Sequence, residues 1–175
     1  MRKTLSYFLI SIYLCIASTS GYANQNEFVI GVGDTLAISV YNEPDLFVNT
    51  KVDSSGLIKM PLLGDLNVAG KTAKTISKEL EAMFADGYLV NPNVSVTVES
   101  FRPFYIRGEV TRPGAYETSF GMTVEQAFTI AGGLTDRASS HNWLILREGQ
   151  NERIKANKDT FVMPGDTVEI GQSFF

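Results

Sequence analysis

Short segments in which apolar and polar residues alternate occur along the whole chain and predict strands with one buried face. Leu36, Ile38 and Val40 alternate with smaller or polar residues in the clearest of these segments. The predicted strands of the first half cover residues 28–30, 36–41, 48–52, 57–60, 66–68 and 94–98. The sequence Asp-Ser-Ser-Gly at residues 53–56 lies between two of them and predicts a hairpin loop.

One segment of the first half has the period of a helix instead. Its apolar residues recur with i, i+4, i+7 and i+8 spacing and predict a helix over residues 72–86, packed on a sheet through Ile76, Leu80, Met83 and Phe84. Thr72 is placed to cap the first turn, and Gly87 is placed to end the last one. The first half therefore predicts a sheet with one packed helix.

The second half repeats this plan with different connections. Strands are predicted over residues 104–107, 116–118, 143–147, 154–156 and 168–170. A capping box from Thr123 to Gln126 begins a short helix that should stop at Gly132 and Gly133. We therefore expect an α+β fold of two small β-rich domains, each a sheet with one packed helix, the second β-grasp-like and joined to the first near residue 102.

Glycine and proline in the second half also predict specific turns. Pro113 and Gly114 have the order typical of a type II turn, with proline at i+1 and glycine at i+2. Gly108 precedes this connection, and we expect it to occupy a position that needs a positive φ or a close approach of another backbone.

The first 23 residues have the organisation of an export signal. Arg2 and Lys3 precede an apolar segment over residues 5–17, which is too short to span a bilayer, and small residues follow it. We expect cleavage between Ala23 and Asn24; an uncleaved membrane anchor is the alternative. The expected organisation is a signal peptide over residues 1–23, a first domain over 24–101 and a second over 102–175.

Cys15 does not match a lipidation site. Bulky Leu14 precedes it, where a lipoprotein signal has glycine or alanine, and Cys15 lies inside the apolar segment rather than at its end. We expect it to leave with the signal, unlipidated. A mature chain without cysteine suits an oxidising compartment such as the periplasm.

The amino-acid composition excludes several classes of function and site. The 175 residues hold 15 Lys and Arg against 19 Asp and Glu, a net charge of −4, which argues against a nucleic-acid partner. One cysteine and one histidine exclude a disulfide scaffold and a histidine-built zinc site, and they make a Ser-His-Asp triad improbable. We expect no enzyme activity, no cofactor and no metal, although counting acids does not exclude a glycosidase with paired carboxylates.

The residues that attract attention as candidate sites have simpler structural interpretations. His141 is interpreted as a strand-entry residue, and Asp34, Asp65 and Asp166 each follow a glycine, where aspartate is a common turn former. The sequence Gly-Asp-Thr-Leu-Ala-Ile at residues 33–38 recurs as Gly-Asp-Thr-Val-Glu-Ile at 165–170. One such pair favours convergent turn chemistry over duplication.

Two resemblances compete for the opening segment. Residues 28–36 are similar to the start of a LysM peptidoglycan-binding module, but a strand and Pro44 follow where LysM has a helix. Nearly the whole chain after the signal resembles the bacterial polysaccharide export proteins of the outer-membrane auxiliary class. Their polysaccharide export domain is matched by the motifs at residues 30–36, 56–64, 68–72 and 91–96, and their soluble-ligand-binding β-grasp domain by those at 107–114, 131–135 and 164–168.

This resemblance implies a role in transport. Members form homo-oligomeric rings in the periplasm, associated with the outer membrane, and conduct capsular polysaccharide or exopolysaccharide. They work with an inner-membrane polysaccharide co-polymerase, often a tyrosine autokinase. The alternatives are a periplasmic glycan-binding module without channel function and, more remotely, a secreted hydrolase.

The last residues lead to an expectation about the outer membrane. Only five residues follow the last predicted strand, so we expect no pore wall from this chain and docking on a separate outer-membrane channel protein. Phe174 and Phe175 are the candidate docking residues; the alternative is that they cap the β-grasp core.

Overall fold

The computed structural model describes residues 28–147, 149–150 and 152–173. The elements of the N-terminal unit, within these residues, are β1 (Thr35–Val40), β2 (Glu43–Lys51), β3 (Leu57–Met60), β4 (Gly64–Asn67), α1 (Ala73–Ala85) and β5 (Val94–Ser100). The elements of the C-terminal unit are β6 (Phe104–Gly108), β7 (Gly114–Tyr116), α2 (Val124–Ile130), β8 (Ala138–Leu146), β9 (Arg153–Ala156) and β10 (Thr167–Gln172). The fold is α+β, as the sequence predicts.

An antiparallel sheet in the order β2-β1-β5 forms the base of the N-terminal unit. The predicted alternation in β1 is confirmed, because Leu36, Ile38 and Val40 are buried and face the core while Ser39 is exposed. Residues 28–30, also predicted as a strand, form only an isolated bridge between Val29 and Thr72. That prediction is wrong because this segment pairs with the loop before α1, beside the sheet rather than within it.

Helix α1 covers this sheet and ends where the sequence predicts. Ile76, Leu80 and Phe84 are completely buried in the N-terminal core. The Thr72 hydroxyl accepts a hydrogen bond from the backbone N–H of Thr75 at 3.2 Å, and Gly87 follows the helix with a φ of 91°. These local interactions set where the helix begins and ends, and the buried side chains pack it on the sheet.

The loop at residues 53–56 turns the chain but does not make the predicted hairpin. Asp53 Oδ1 accepts hydrogen bonds from the backbone N–H groups of Ser55 and Leu57, at 2.8 and 2.9 Å. The strands it joins nevertheless separate, because β2 pairs with β1 and β3 pairs with β4 in a sheet of its own. The turn was predictable from local chemistry, whereas the partner of β3 was not.

The C-terminal unit is a five-stranded sheet in the order β7-β6-β10-β8-β9 with α2 on one face. The last strand, β10, enters the middle of the sheet, parallel to β6 and antiparallel to β8. Thr123 and Gln126 form the predicted capping box. The helix ends at Ile130, and Gly132 and Gly133 follow with φ values of 87° and 88°, as predicted.

The predicted type II turn at Pro113 and Gly114 is wrong. Gly114 has no positive φ; it is the first residue of β7 and pairs with Ile106. The sharp change of direction occurs earlier, at Gly108, whose φ is 89°. A side chain at Gly108 would meet the carbonyl oxygen of Ile170 in β10, so both conditions expected of this glycine are met.

The two units have separate cores that meet at a narrow junction. The N-terminal core includes residues up to Val98, and the C-terminal core begins at Phe104. Phe101 and Phe120 both pack against Phe28, with ring centroids 4.9 and 5.2 Å away. No helix in the part of the chain described here is long and apolar enough to cross a membrane.

Candidate functional site

A tight turn at residues 31–34, the N-terminal aspartate turn, precedes β1. Gly33 has a φ of 95°, and the backbone N–H of Asp34 donates to the carbonyl oxygen of Gly31 at 3.2 Å. Asp34 Oδ2 in return accepts a hydrogen bond from the Gly31 N–H at 2.8 Å. Asp34 is completely buried, so its charge requires further partners.

Those partners come from Arg102, at the junction of the two units. The backbone N–H of Arg102 donates to Asp34 Oδ1 at 2.6 Å, and its Nη1 donates to Asp34 Oδ2 at 2.8 Å. The Thr118 hydroxyl donates to the carbonyl oxygen of Arg102 at 3.0 Å. Asp34 therefore neutralises a charge at the junction and also ties the N-terminal unit to the C-terminal one through a single residue.

The C-terminal aspartate turn, at residues 163–166 before β10, has the same construction. The Asp166 N–H donates to the Met163 carbonyl oxygen at 3.1 Å, and Asp166 Oδ2 accepts from the Met163 N–H at 2.8 Å. Asp166 is also completely buried, and Gly165 has a φ of 82°. Arg147 binds its carboxylate through Nε and Nη2, at 3.1 and 3.0 Å.

The repeated sequence therefore corresponds to a repeated three-dimensional motif. In both turns a buried aspartate accepts from the residue three positions earlier and holds an arginine by its guanidinium. Sequence analysis identified Gly33, Asp34, Gly165 and Asp166 as turn formers, and the structure places them so. It missed both arginines, since they lie 68 and 19 residues from their aspartates with no local signal.

The two aspartate turns border one open cleft of about 670 Å³ between the units. Glycines of both turns and the two arginines line it, together with the apolar side chains of Val32, Tyr105 and Leu146 and the ammonium group of Lys51. Tyr105 of β6 and Leu146 of β8 each lie opposite Thr167 of β10, so these three residues form one row across the sheet. The cleft thus combines an apolar floor with cationic groups.

A second ionic group lies further along the same sheet. Glu169 Oε2 accepts a hydrogen bond from Arg107 Nη2 at 2.7 Å, and Arg153 Nη1 lies 4.0 Å away. The pKa of Glu169 is below its ordinary value because of the hydrogen bond from Arg107, and the two arginine charges reinforce this effect while burial opposes it. This face of the sheet carries more cations than anions.

The remaining candidate residues do not join this site. His141 lies in β8 and is exposed. Within the described residues, no group of three or more His, Cys, Asp or Glu side chains is arranged to hold a metal ion. The predicted cleavage site at Ala23 and Asn24 and the candidate docking residues Phe174 and Phe175 lie outside the described residues.

Comparison with known proteins identifies both units. Residues 22–99 match the family described as polysaccharide biosynthesis/export protein, and residues 103–155 match the SLBB domain. The exopolysaccharide production protein ExoF of Rhizobium meliloti (strain 1021) is 30% identical over 130 residues, which cover 67% of this chain and 31% of that protein.

Two further relatives are more distant. The EPS I polysaccharide export outer membrane protein EpsA of Ralstonia nicotianae is 28% identical over 153 residues, or 73% of this chain and 40% of that protein. The polysialic acid transport protein KpsD of Escherichia coli is 22% identical over 151 residues, or 85% of this chain and 26% of that protein. The chain thus spans less than half the length of each. It belongs to the polysaccharide export family, in which a polysaccharide biosynthesis/export domain is followed by an SLBB domain.

Proposed function

We propose that this chain is a periplasmic component of a machine that exports capsular polysaccharide or exopolysaccharide, and that it forms part of the conduit to or across the outer membrane. The observation that carries the proposal is the order of the two matched domains, export domain first and SLBB domain second. The names of two relatives support transport, since they describe polysaccharide export and polysialic acid transport.

The proposal includes specific partners. Copies of the chain form a homo-oligomeric ring, which receives polysaccharide from an inner-membrane co-polymerase or tyrosine autokinase and passes it to a separate outer-membrane channel protein. Phe174 and Phe175 dock on that channel. Deleting residues 173–175 should then abolish export while the far-ultraviolet circular dichroism of the purified protein stays unchanged; normal export by the truncated protein would contradict the docking role.

The main experiment is deletion of the gene followed by measurement of secreted polysaccharide. We expect secretion to fall and the polymer to accumulate inside the cell, and we expect the plasmid-borne gene to restore secretion. Unchanged secretion in the deletion strain, with no related gene to replace it, would contradict the proposed function.

A periplasmic glycan-binding module without channel function is the second candidate. The observation that favours it is the open cleft between the units, which needs no ring to bind a ligand. Mass measurement of the purified protein at increasing concentration separates the two candidates. A ring component should reach a fixed higher mass, whereas a strict monomer would favour the glycan-binding module.

Export through a cleaved signal completes the proposal. We expect the mature protein to begin at Asn24 and to carry no acyl chain. Intact-mass spectrometry of protein from the periplasmic fraction tests both statements. A diacylated N-terminus at Cys15 would contradict this prediction and show that the protein is a lipoprotein.

A further inference from the structure

We propose that the cleft between the two aspartate turns binds a carboxylate-bearing sugar unit of an oligosaccharide or polysaccharide chain. This inference rests on the proposed export function, because it names the chemical class of the polymer that the protein meets. The volume of about 670 Å³ lies within the range of small-ligand sites, roughly 300–1,000 Å³. It is suited to a short run of sugar units rather than to a large folded partner.

The charged side chains that line the cleft favour a negatively charged ligand. Lys51, Arg102 and Arg147 line it, and no carboxylate does so among the described residues. Asp34 and Asp166 have no exposed surface, so the cationic groups that the cleft presents to solvent are those of Lys51 and of Arg147, whose side chain is 29% exposed. The whole chain has a net charge of −4, so the cleft has the opposite sign to the protein around it.

Arg102 and Arg147 are held in place by their aspartates, whereas Lys51 is not. The Arg147 guanidinium uses Nε and Nη2 to bind Asp166, and its planar geometry directs Nη1 away from that carboxylate. Lys51, at the end of β2, has no ion-pair partner among the residues described. A ligand carboxylate can therefore bind without first breaking an ion pair of Lys51.

The apolar floor of the cleft favours a sugar ring over a small inorganic anion. Tyr105 and Leu146 expose 49% and 39% of their surface, on either side of Thr167. An aromatic face of this kind packs against the apolar C–H face of a sugar ring, and a tyrosine hydroxyl or threonine hydroxyl can bond the sugar hydroxyls at its edge. An apolar floor beneath cationic groups matches a sugar acid better than a neutral sugar or phosphate.

Calorimetric titration of the purified full chain tests this inference with trigalacturonate, neutral maltotriose and inorganic phosphate as probes. We expect trigalacturonate to bind about tenfold or more tightly than maltotriose, with an affinity that falls as salt is added. Equal affinity for maltotriose, no detectable binding of trigalacturonate, or full competition by equimolar phosphate would each overturn the inference.

Two substitutions locate the bound sugar. Lys51→Gln removes the unpartnered cation and should weaken trigalacturonate binding by about threefold to fivefold, the effect of one exposed ion pair. Tyr105→Ala removes the aromatic floor and should weaken it further. Lys78→Gln is the matched control, since Lys78 is exposed on α1 and outside the cleft, and it should leave binding unchanged. An equal loss in Lys51→Gln and Lys78→Gln would place the sugar elsewhere and overturn the inference.

Secretion by the deletion strain separates this inference from the proposed function. If the plasmid-borne gene restores secretion but the purified protein does not bind trigalacturonate, the cleft inference fails and the export function stands. If the protein binds trigalacturonate through Lys51 but deletion leaves secretion unchanged, the export function fails instead.

Discussion

Asp34→Asn tests the buried carboxylate at the junction of the two units. The carboxylate of Asp34 accepts hydrogen bonds from the Gly31 N–H, the Arg102 N–H and Arg102 Nη1, at 2.8, 2.6 and 2.8 Å. An asparagine amide has only one oxygen, so its NH₂ group would face a donor in either orientation. At least one of these bonds is therefore lost, and Arg102 loses its buried counter-charge.

The expected loss in the free energy of unfolding follows from these contacts. Hydrogen bonds to a charged group contribute about 1.5–3 kcal/mol each, and removing one partner of a buried ion pair costs about 3–5 kcal/mol. The Arg102 side chain is 16% exposed, so water can partly replace the lost carboxylate. We therefore expect the loss in unfolding free energy to lie at the lower end of the ion-pair range, about 3 kcal/mol. At about 2–4 °C per kcal/mol for a chain of this size, Tm should fall by about 6–12 °C.

Thermal and urea unfolding followed by circular dichroism measure this loss. Asp65→Asn is the matched control, because Asp65 also follows a glycine but is exposed, and it should change stability by less than about 0.5 kcal/mol. Fluorescence of Trp143, the single tryptophan, reports separately on the C-terminal unit. If Asp34→Asn and Asp65→Asn shift the transition equally, the buried ion pair does not stabilise the fold and the reasoning is refuted.

Three further predictions concern the C-terminal unit. Gly108→Val should prevent accumulation of folded protein, since it forces a side chain onto the β10 backbone at a positive φ, whereas Gly114→Val should be tolerated; equal yields on expression would contradict this. Glu169→Gln should lower the urea midpoint at pH 7. The hydrogen bond from Arg107 lowers the pKa of Glu169 from its ordinary value of 4.5. The stabilisation that the ionised carboxylate contributes is therefore present above pH 4.5 and is lost as the pH falls through the lowered pKa, so the two proteins should have equal stability in acid. His141→Ala should leave polysaccharide export intact, because His141 is exposed in β8 and lies outside the cleft. Loss of export by a variant that is folded and normally abundant would instead support an enzymatic role.

Local patterns in the sequence were enough to predict both helices and most strands. The cap at Thr72, the capping box at Thr123 and the glycines after each helix involve residues three or four positions apart, so their hydrogen bonds depend little on the rest of the fold. The same holds for the aspartate turns, whose aspartate and backbone partner are three residues apart. The order of the motifs along the chain likewise indicated the polysaccharide export family.

Tertiary structure decided what connects these elements. The partner of β3 depends on strand pairing, which alternation alone does not specify because several registers bury the same face. The arginines that bind Asp34 and Asp166 lie 68 and 19 residues away and have no pattern of their own, since a buried carboxylate can take its counter-charge from any segment that packing brings beside it. The sequence by itself thus determined the two turns, and only the packing of the two units placed their arginines along one cleft.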